Sequence, residues 1–180
     1  LYNLQQVTEV GNTTTLTSEF NSTNSVSLYV HNGIETNSNV IIGKDAGFTG
    51  LGYDRVAIGN CAGQTNQGHS SVAIGNCAGQ ITQSSQSVAI GDWAGHDDQG
   101  IWATAVGEGA GTTSQSLSAT AIGNWAGRTN QGRWATAVGA EAGTTNQSTQ
   151  AVAIGYLAAR TNQGSQAVAV GTQAGYSNQY

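Results

Sequence analysis

His96-Asp97-Asp98 places an imidazole beside two carboxylates, residue types that can ligate a divalent cation. The group occurs once, and neither His31 nor His69 has an acidic partner at a recurring spacing. It therefore reads as a solvated corner, and no metal site is expected. The run GEGAG at 107–111 is glycine-rich. A phosphate cradle would need a strand before it, a helix after it and an acid downstream, and this run is one more copy of a repeat. No nucleophile motif or spaced acid pair accompanies it, so the sequence predicts no enzyme, no catalytic residue and no cofactor. Cys61 and Cys77 lie sixteen residues apart. Stacked in neighbouring turns, their Cα atoms would be about 4.8 Å apart. That is within disulfide range, but parallel side chains give poor torsions, so free, packed thiols are expected. The residues best suited to binding are Trp93, Trp102, Trp125 and Trp134. Exposed indoles stack on sugar faces. The competing role is to fill the interface of a trimer or to cover corner turns, since Trp buries much area and needs one partner for its N–H. Arg128, Arg133 and Arg160 either line the same surface or keep it soluble.

These residues sit on a strict period. Gly43, Gly59, Gly75, Gly91, Gly107, Gly123, Gly139, Gly155 and Gly171 recur every sixteen residues without a slip, the signature of a solenoid or fibrous repeat. Ala lies two residues before each of these glycines except at Ile41, and Ala lies three after in every copy. Gln lies eight after, except at Leu51. The following column alternates Gly68, Ser84, Gly100, Ser116, Gly132, Ser148, Gly164. Trp93 and Trp125 share one column and Trp102 and Trp134 another, each pair thirty-two residues apart.

So much glycine excludes helix, where each Gly costs about 1 kcal/mol against Ala. The triplet Val-Ala-Ile alternates large, small, large, as a strand of period two does. Glycine ends it at a tight turn, a second extended segment runs through Ala-Gly-x-Thr-Asn-Gln, and Asn-Gln-Gly makes the return turn. Identical coils stacked about 4.8 Å apart give a rod about 40 Å long, with Ala on Ala, Ile on Ile and Gln on Gln. Amide side chains can form ladders along such a stack. The expected core is thin, two Val/Ile/Thr positions and some alanines per coil, and it leaves an apolar stripe exposed. Burying that stripe predicts an oligomer, for a rod a parallel homotrimer. The fold class is all-β, a parallel β-solenoid of nine coils over 39–180. Residues 1–38 break the period and read as a separate Thr-rich β connector.

Composition sets further bounds. Charged residues are only 8%, Pro is absent, and ten acids against five bases give a net charge of −5. A nucleic-acid footprint would need a basic face, so no nucleic acid is expected. No apolar run approaches the roughly 20 residues of a membrane helix, so no membrane insertion is expected. The chain has no Met, which reads as a piece of a longer or processed polypeptide.

The repeated [SA]-[VT]-A-[IV]-G resembles the short repeats of trimeric autotransporter adhesin heads. Those form left-handed parallel β-rolls, three side by side, on a repeat a couple of residues shorter. NLQQVTEVGNTTT at Asn3–Thr15, with GNWAGRTNQG and IGYLAARTNQG, resembles segments of tail-fibre-like proteins of phages and large viruses. The resemblance implies a structural segment of a trimeric viral tail fibre on the virion surface. Its partners would be itself, other fibre or virion proteins and a host-surface glycan or receptor. The alternative is the head module of a bacterial surface adhesin binding matrix or glycan. A third class, ice binding, rests on the column Thr65, Thr113, Thr129, Thr145, Thr161, interrupted by Ile81 and Asp97.

Overall fold

The structure, a computed structural model, describes residues 39–49 and 52–179. The connector expected over 1–38 lies outside them. Short β-branched triplets bounded by glycine can do little but pair with their own copies, and they do. The Val-Ala-Ile triplet forms β1 (Val40–Ile42), β2 (Val56–Ile58), β3 (Val72–Ile74), β5 (Val88–Ile90), β7 (Thr104–Val106), β9 (Thr120–Ile122), β11 (Thr136–Val138), β13 (Val152–Ile154) and β15 (Val168–Val170). These nine strands make one parallel sheet in chain order. The second segment forms β4 (Ile81–Gln83), β6 (Asp97–Gln99), β8 (Thr113–Gln115), β10 (Thr129–Gln131), β12 (Thr145–Gln147), β14 (Thr161–Gln163) and β16 (Ser177–Gln179), a seven-stranded parallel sheet. Thr49, Thr65 and Ile81 extend it through isolated bridges. Each residue pairs with the one sixteen positions on, as in Ala89↔Ala105 and Gln131↔Gln147. The chain is thus an all-β parallel solenoid, and among the described residues there is no helix.

The interior differs from the expected Val/Ile core. In the first-sheet strands from β2 on only the central Ala points inward; Ala57, Ala73, Ala89, Ala105, Ala121, Ala137 and Ala153 have no exposed surface, and β1 carries Ile41 at this position. The flanking Val, Thr and Ile lie on the outer face, as period two requires once Ala is inside. The largest buried side chains are glutamines, Gln67 to Gln163, each at most 1% exposed. The inter-sheet space therefore holds two layers of Ala and one of amide.

Gln99 to Gln163 each bond both across their own coil and to the next coil, whereas Gln67 and Gln83 bond only backbone carbonyls. Gln131 Nε2 donates to Thr120 O across the coil at 2.7 Å and to Gln147 Oε1 in the next coil at 3.2 Å. The same inter-coil bond joins Gln99, Gln115, Gln131, Gln147, Gln163 and Gln179 into one run, at 3.1–3.3 Å. The amide also explains a glycine column. At Gly127, φ +52°, a Cβ would lie 2.7 Å from Gln131 Oε1. Ala159 takes this position once, at φ 44°, and Gln163 still reaches Val152 O at 2.7 Å. The other glycine column is stricter. Gly123 has φ +126°, and a Cβ there would lie 2.7 Å from Gly139 O of the next coil.

The expected return turn at Asn-Gln-Gly begins later than read. Asn and Gln belong to the second strand, and its middle residue is left-handed, as at Asn130 (φ 54) and Asn146 (φ 55). That twist lets Gln turn inward while Asn stays exposed and joins an outer ladder, Asn130–Asn146–Asn162–Asn178, with bonds of 2.9–3.1 Å.

Replacing Gln131 by Leu keeps a side chain of similar size but leaves the buried Gln147 Oε1 without its donor. The expected loss is about 1–3 kcal/mol, read as a lower urea midpoint; Asn130→Ser, on the surface, should change it far less.

Candidate functional site

The four tryptophans leave the roll at its two opposite corners. Trp93 and Trp125 stand on the corner leading from the first sheet to the second, two residues after Gly91 and Gly123. Trp102 and Trp134 stand on the return corner. All four have left-handed backbones, with φ of 55–59°, a conformation that costs an L-residue about 1–2 kcal/mol. Their N–H groups are tied to the coil before: Trp93 to Asn76 O at 3.0 Å, Trp125 to Glu108 O at 2.9 Å, Trp134 to Leu117 O at 3.0 Å. The left-handed turn is what throws the side chain outward, and all four indoles are 40–57% exposed.

On the first corner, the column holding Trp93 and Trp125 has Gly109 between them. The missing side chain leaves a gap in the ridge. A Cβ at Gly109 would fall on the Trp125 indole, which leans over the glycine. What remains is an open cavity of about 150 Å³ lined by Trp93, Glu108, Gly109, Thr112, Trp125 and Arg128. The Arg128 guanidinium lies 5.2 Å from the Trp125 ring centre. Trp93 stacks on the His96 imidazole, with centroids 4.2 Å apart and planes at 10°. Asn124 Nδ2 donates to Glu108 Oε2 at 3.3 Å, and the Thr112 hydroxyl donates to Gly109 O at 2.6 Å. Acceptor, donor and aromatic surface therefore converge on one gap.

The return corner is arranged differently. Trp102 Nε1 donates to Gln86 Oε1 at 2.6 Å, and Arg133 lies 5.3 Å over the Trp134 ring. These indoles cap their neighbours along the ridge. Arg160, on the first corner, bonds Glu141 at 3.1 Å and the Tyr176 hydroxyl at 2.8 Å.

His96 is buried beneath Trp93, and its Nδ1 lies 3.0 Å from Asp97 Oδ1 without hydrogen-bond alignment. Asp98 is left-handed and exposed. Among the described residues no three His, Cys, Asp or Glu side chains converge to hold a metal. Cys61 and Cys77 are free thiols in successive coils, both left-handed. Burial, then the neighbouring Cys61 thiol and Asp92, push the Cys77 thiol above its ordinary range. The column of Thr113, Thr129, Thr145 and Thr161 runs in register along the second sheet.

The raised Cys77 pKa depletes the reactive thiolate. Iodoacetamide should label Cys77 several-fold more slowly than a free thiol near neutral pH, and the difference should shrink as pH rises above the ordinary thiol range; mass spectrometry of the digested chain reads both. Among the described residues no helix is long and apolar enough to cross a membrane. Comparison with protein-family models, with curated proteins and with solved structures gives no match to this chain.

Proposed function

We propose that this chain is a stiff structural segment of a trimeric viral tail fibre, carried on the virion surface, that spaces and presents attachment surfaces. The observation that carries the trimer is the outer face of the nine-stranded sheet. Two columns of β-branched residues run its whole length, and Ile42, Ile90, Ile122, Ile154, Val168 and Val170 are 37–63% exposed. A strip about 40 Å long with this much apolar surface is unusual on a protein that stays monomeric. It has the composition of an obligate interface.

Three left-handed rolls packed in parallel, each turning this strip to a common axis, bury all three strips and close the assembly. Like columns then meet at the same height in every chain. The corners that bear the tryptophans lie beside the strip, not on it. The tail-fibre setting is supported by the resemblance of NLQQVTEVGNTTT and the AIG…TNQG repeats. An attachment role, to a host-surface glycan or receptor, is supported by the exposed corner aromatics. The mechanical role follows from the ladders: parallel strands in unbroken register resist bending because every coil is bonded to the next at both sheets.

Light scattering on a size-exclusion column should give a native mass three times the 18.3 kDa of one chain. Ile122→Asp, at the middle of the strip, should shift that mass toward one chain while circular dichroism stays β-rich. A wild-type monomer would sink the trimer.

A further inference from the structure

We propose that the gap over Gly109, between Trp93 and Trp125, is a binding site for one pyranose ring of a neutral saccharide; this deepens the attachment role and rests on it. The first argument is spacing. Trp93 and Trp125 are two coils apart, about 9.6 Å along the stack at ordinary strand spacing. Trp125 leans into the space that a Gly109 side chain would take, so the two indoles border one open cavity rather than a parallel slot. A side chain at this position in the intervening coil would collide with that indole. The neighbouring coils carry Cys77 and Glu141 there.

The second argument is size. The open cavity of about 150 Å³ has room for one small polar ring. The third is polarity. Glu108 supplies an acceptor and Arg128 a donor. The Thr112 hydroxyl already donates to Gly109 O, so it offers the cavity only its lone pairs. Neighbouring hydroxyls on a sugar ring present donors and acceptors together, and its C–H face is the part that packs on an indole.

Charge narrows the class. A cationic ligand would compete with Arg128, which already lies over the Trp125 ring. An anionic sugar would meet Glu108, together with Asp92 next to Trp93 in sequence and Asp97 against His96, against a single guanidinium. A neutral ring avoids both conflicts. The return-corner tryptophans lack these features: Trp102 is bonded to Gln86, and no acid lies beside Trp134 in sequence.

The test is saturation-transfer NMR on the full chain with galactose, glucose, mannose, N-acetylglucosamine, N-acetylgalactosamine and N-acetylneuraminic acid at millimolar concentration. The expected result is transfer to the C–H protons of at least one neutral sugar and none to the acidic one. Affinity should fall about tenfold in Trp93→Ala and in Trp125→Ala, the loss of one stacking surface. It should be unchanged in Trp102→Ala and Trp134→Ala. Glu108→Gln, an exposed substitution that leaves the aromatic packing alone, should weaken binding several-fold and guards against misfolding of the Trp variants. Absence of transfer to every neutral sugar overturns the site, as does equal binding by Trp93→Ala, or preference for the acidic sugar. The native mass separates this from the fibre itself: a trimer that binds no sugar loses the site alone, and a monomer that binds one retains it.

Discussion

The buried glutamine amide is the interaction on which the solenoid depends. A coil of sixteen residues with two three-residue strands encloses too little volume for a conventional apolar core. Alanine fills what the sheets leave, and a longer side chain must lie across the remaining gap. An apolar one would fill it and bond nothing. Glutamine fills it and joins three things at once: the first-sheet carbonyl of its own coil, the corner carbonyl after it, and the amide of the coil above. Gln115 Nε2 reaches Thr104 O at 2.8 Å, Ala119 O at 3.2 Å and Gln131 Oε1 at 3.1 Å. Because the acceptors across the coil are carbonyls, only the amide nitrogen can face them, so the amide orientation follows from the chemistry. In a dry interior such bonds are strong, and an unmade one is costly. The run begins at Gln99, whose Oε1, like those of Gln67 and Gln83, has no donor. The lower coils therefore lean more on their backbone ladders, and the amide run is a property of the upper six.

The second constraint is backbone strain repeated in register. Every full coil has left-handed residues in three columns, illustrated by Trp125, Asn130 and Trp134, and all are non-glycine except Gly109. Each such non-glycine residue costs on the order of 1 kcal/mol, and the β-branched Thr82 costs more. The cost is met because each left-handed N–H or side chain is satisfied by the neighbouring coil: Trp125 N by Glu108 O, Asn130 Nδ2 by Asn146 Oδ1. A lone coil would relax out of these conformations. Stacking makes them cooperative, as expected of a quasi-one-dimensional repeat whose stability lies in nearest-neighbour interfaces.

Much of this was legible from spacing alone. An unbroken period of sixteen over nine glycines leaves little but in-register stacking, and in-register stacking puts Trp93 and Trp125 on one ridge. The nine-residue offset from Trp93 to Trp102 is about half a coil, which already places the pairs on different corners. The direction of the first strand was harder. Val-Ala-Ile satisfies period two whichever parity faces inward, and the usual preference for burying Val and Ile points the wrong way here. The narrowness of the coil decides it, since only Ala fits opposite a second Ala column and an amide. The left-handed residue inside the second strand was not legible either, because Thr-Asn-Gln is as compatible with a turn as with a kinked strand. The gap at Gly109 had a plain signal, Trp-Gly-Trp down one column. Its meaning depended on knowing that the column projects outward.

The same economy that makes the core unusual makes the surface useful. With few charges and no long loops, the described residues include no limb that could close over a ligand. Any recognition must be built into the corners, whose residues are held by bonds to the coils on either side. Trp93 is held by Asn76 through its backbone and by His96 through its ring. Trp125 is held by Glu108 through its backbone and flanked by Arg128. Such a site loses little conformational entropy when it is filled, so a small contact area can still bind. A trimer would repeat it three times around one axis, and weak single contacts then add through effective concentration. On the proposed reading, rigidity and attachment are not separate assignments in this architecture. The ladders that stiffen the rod are the same bonds that keep the indoles apart at the distance of two coils.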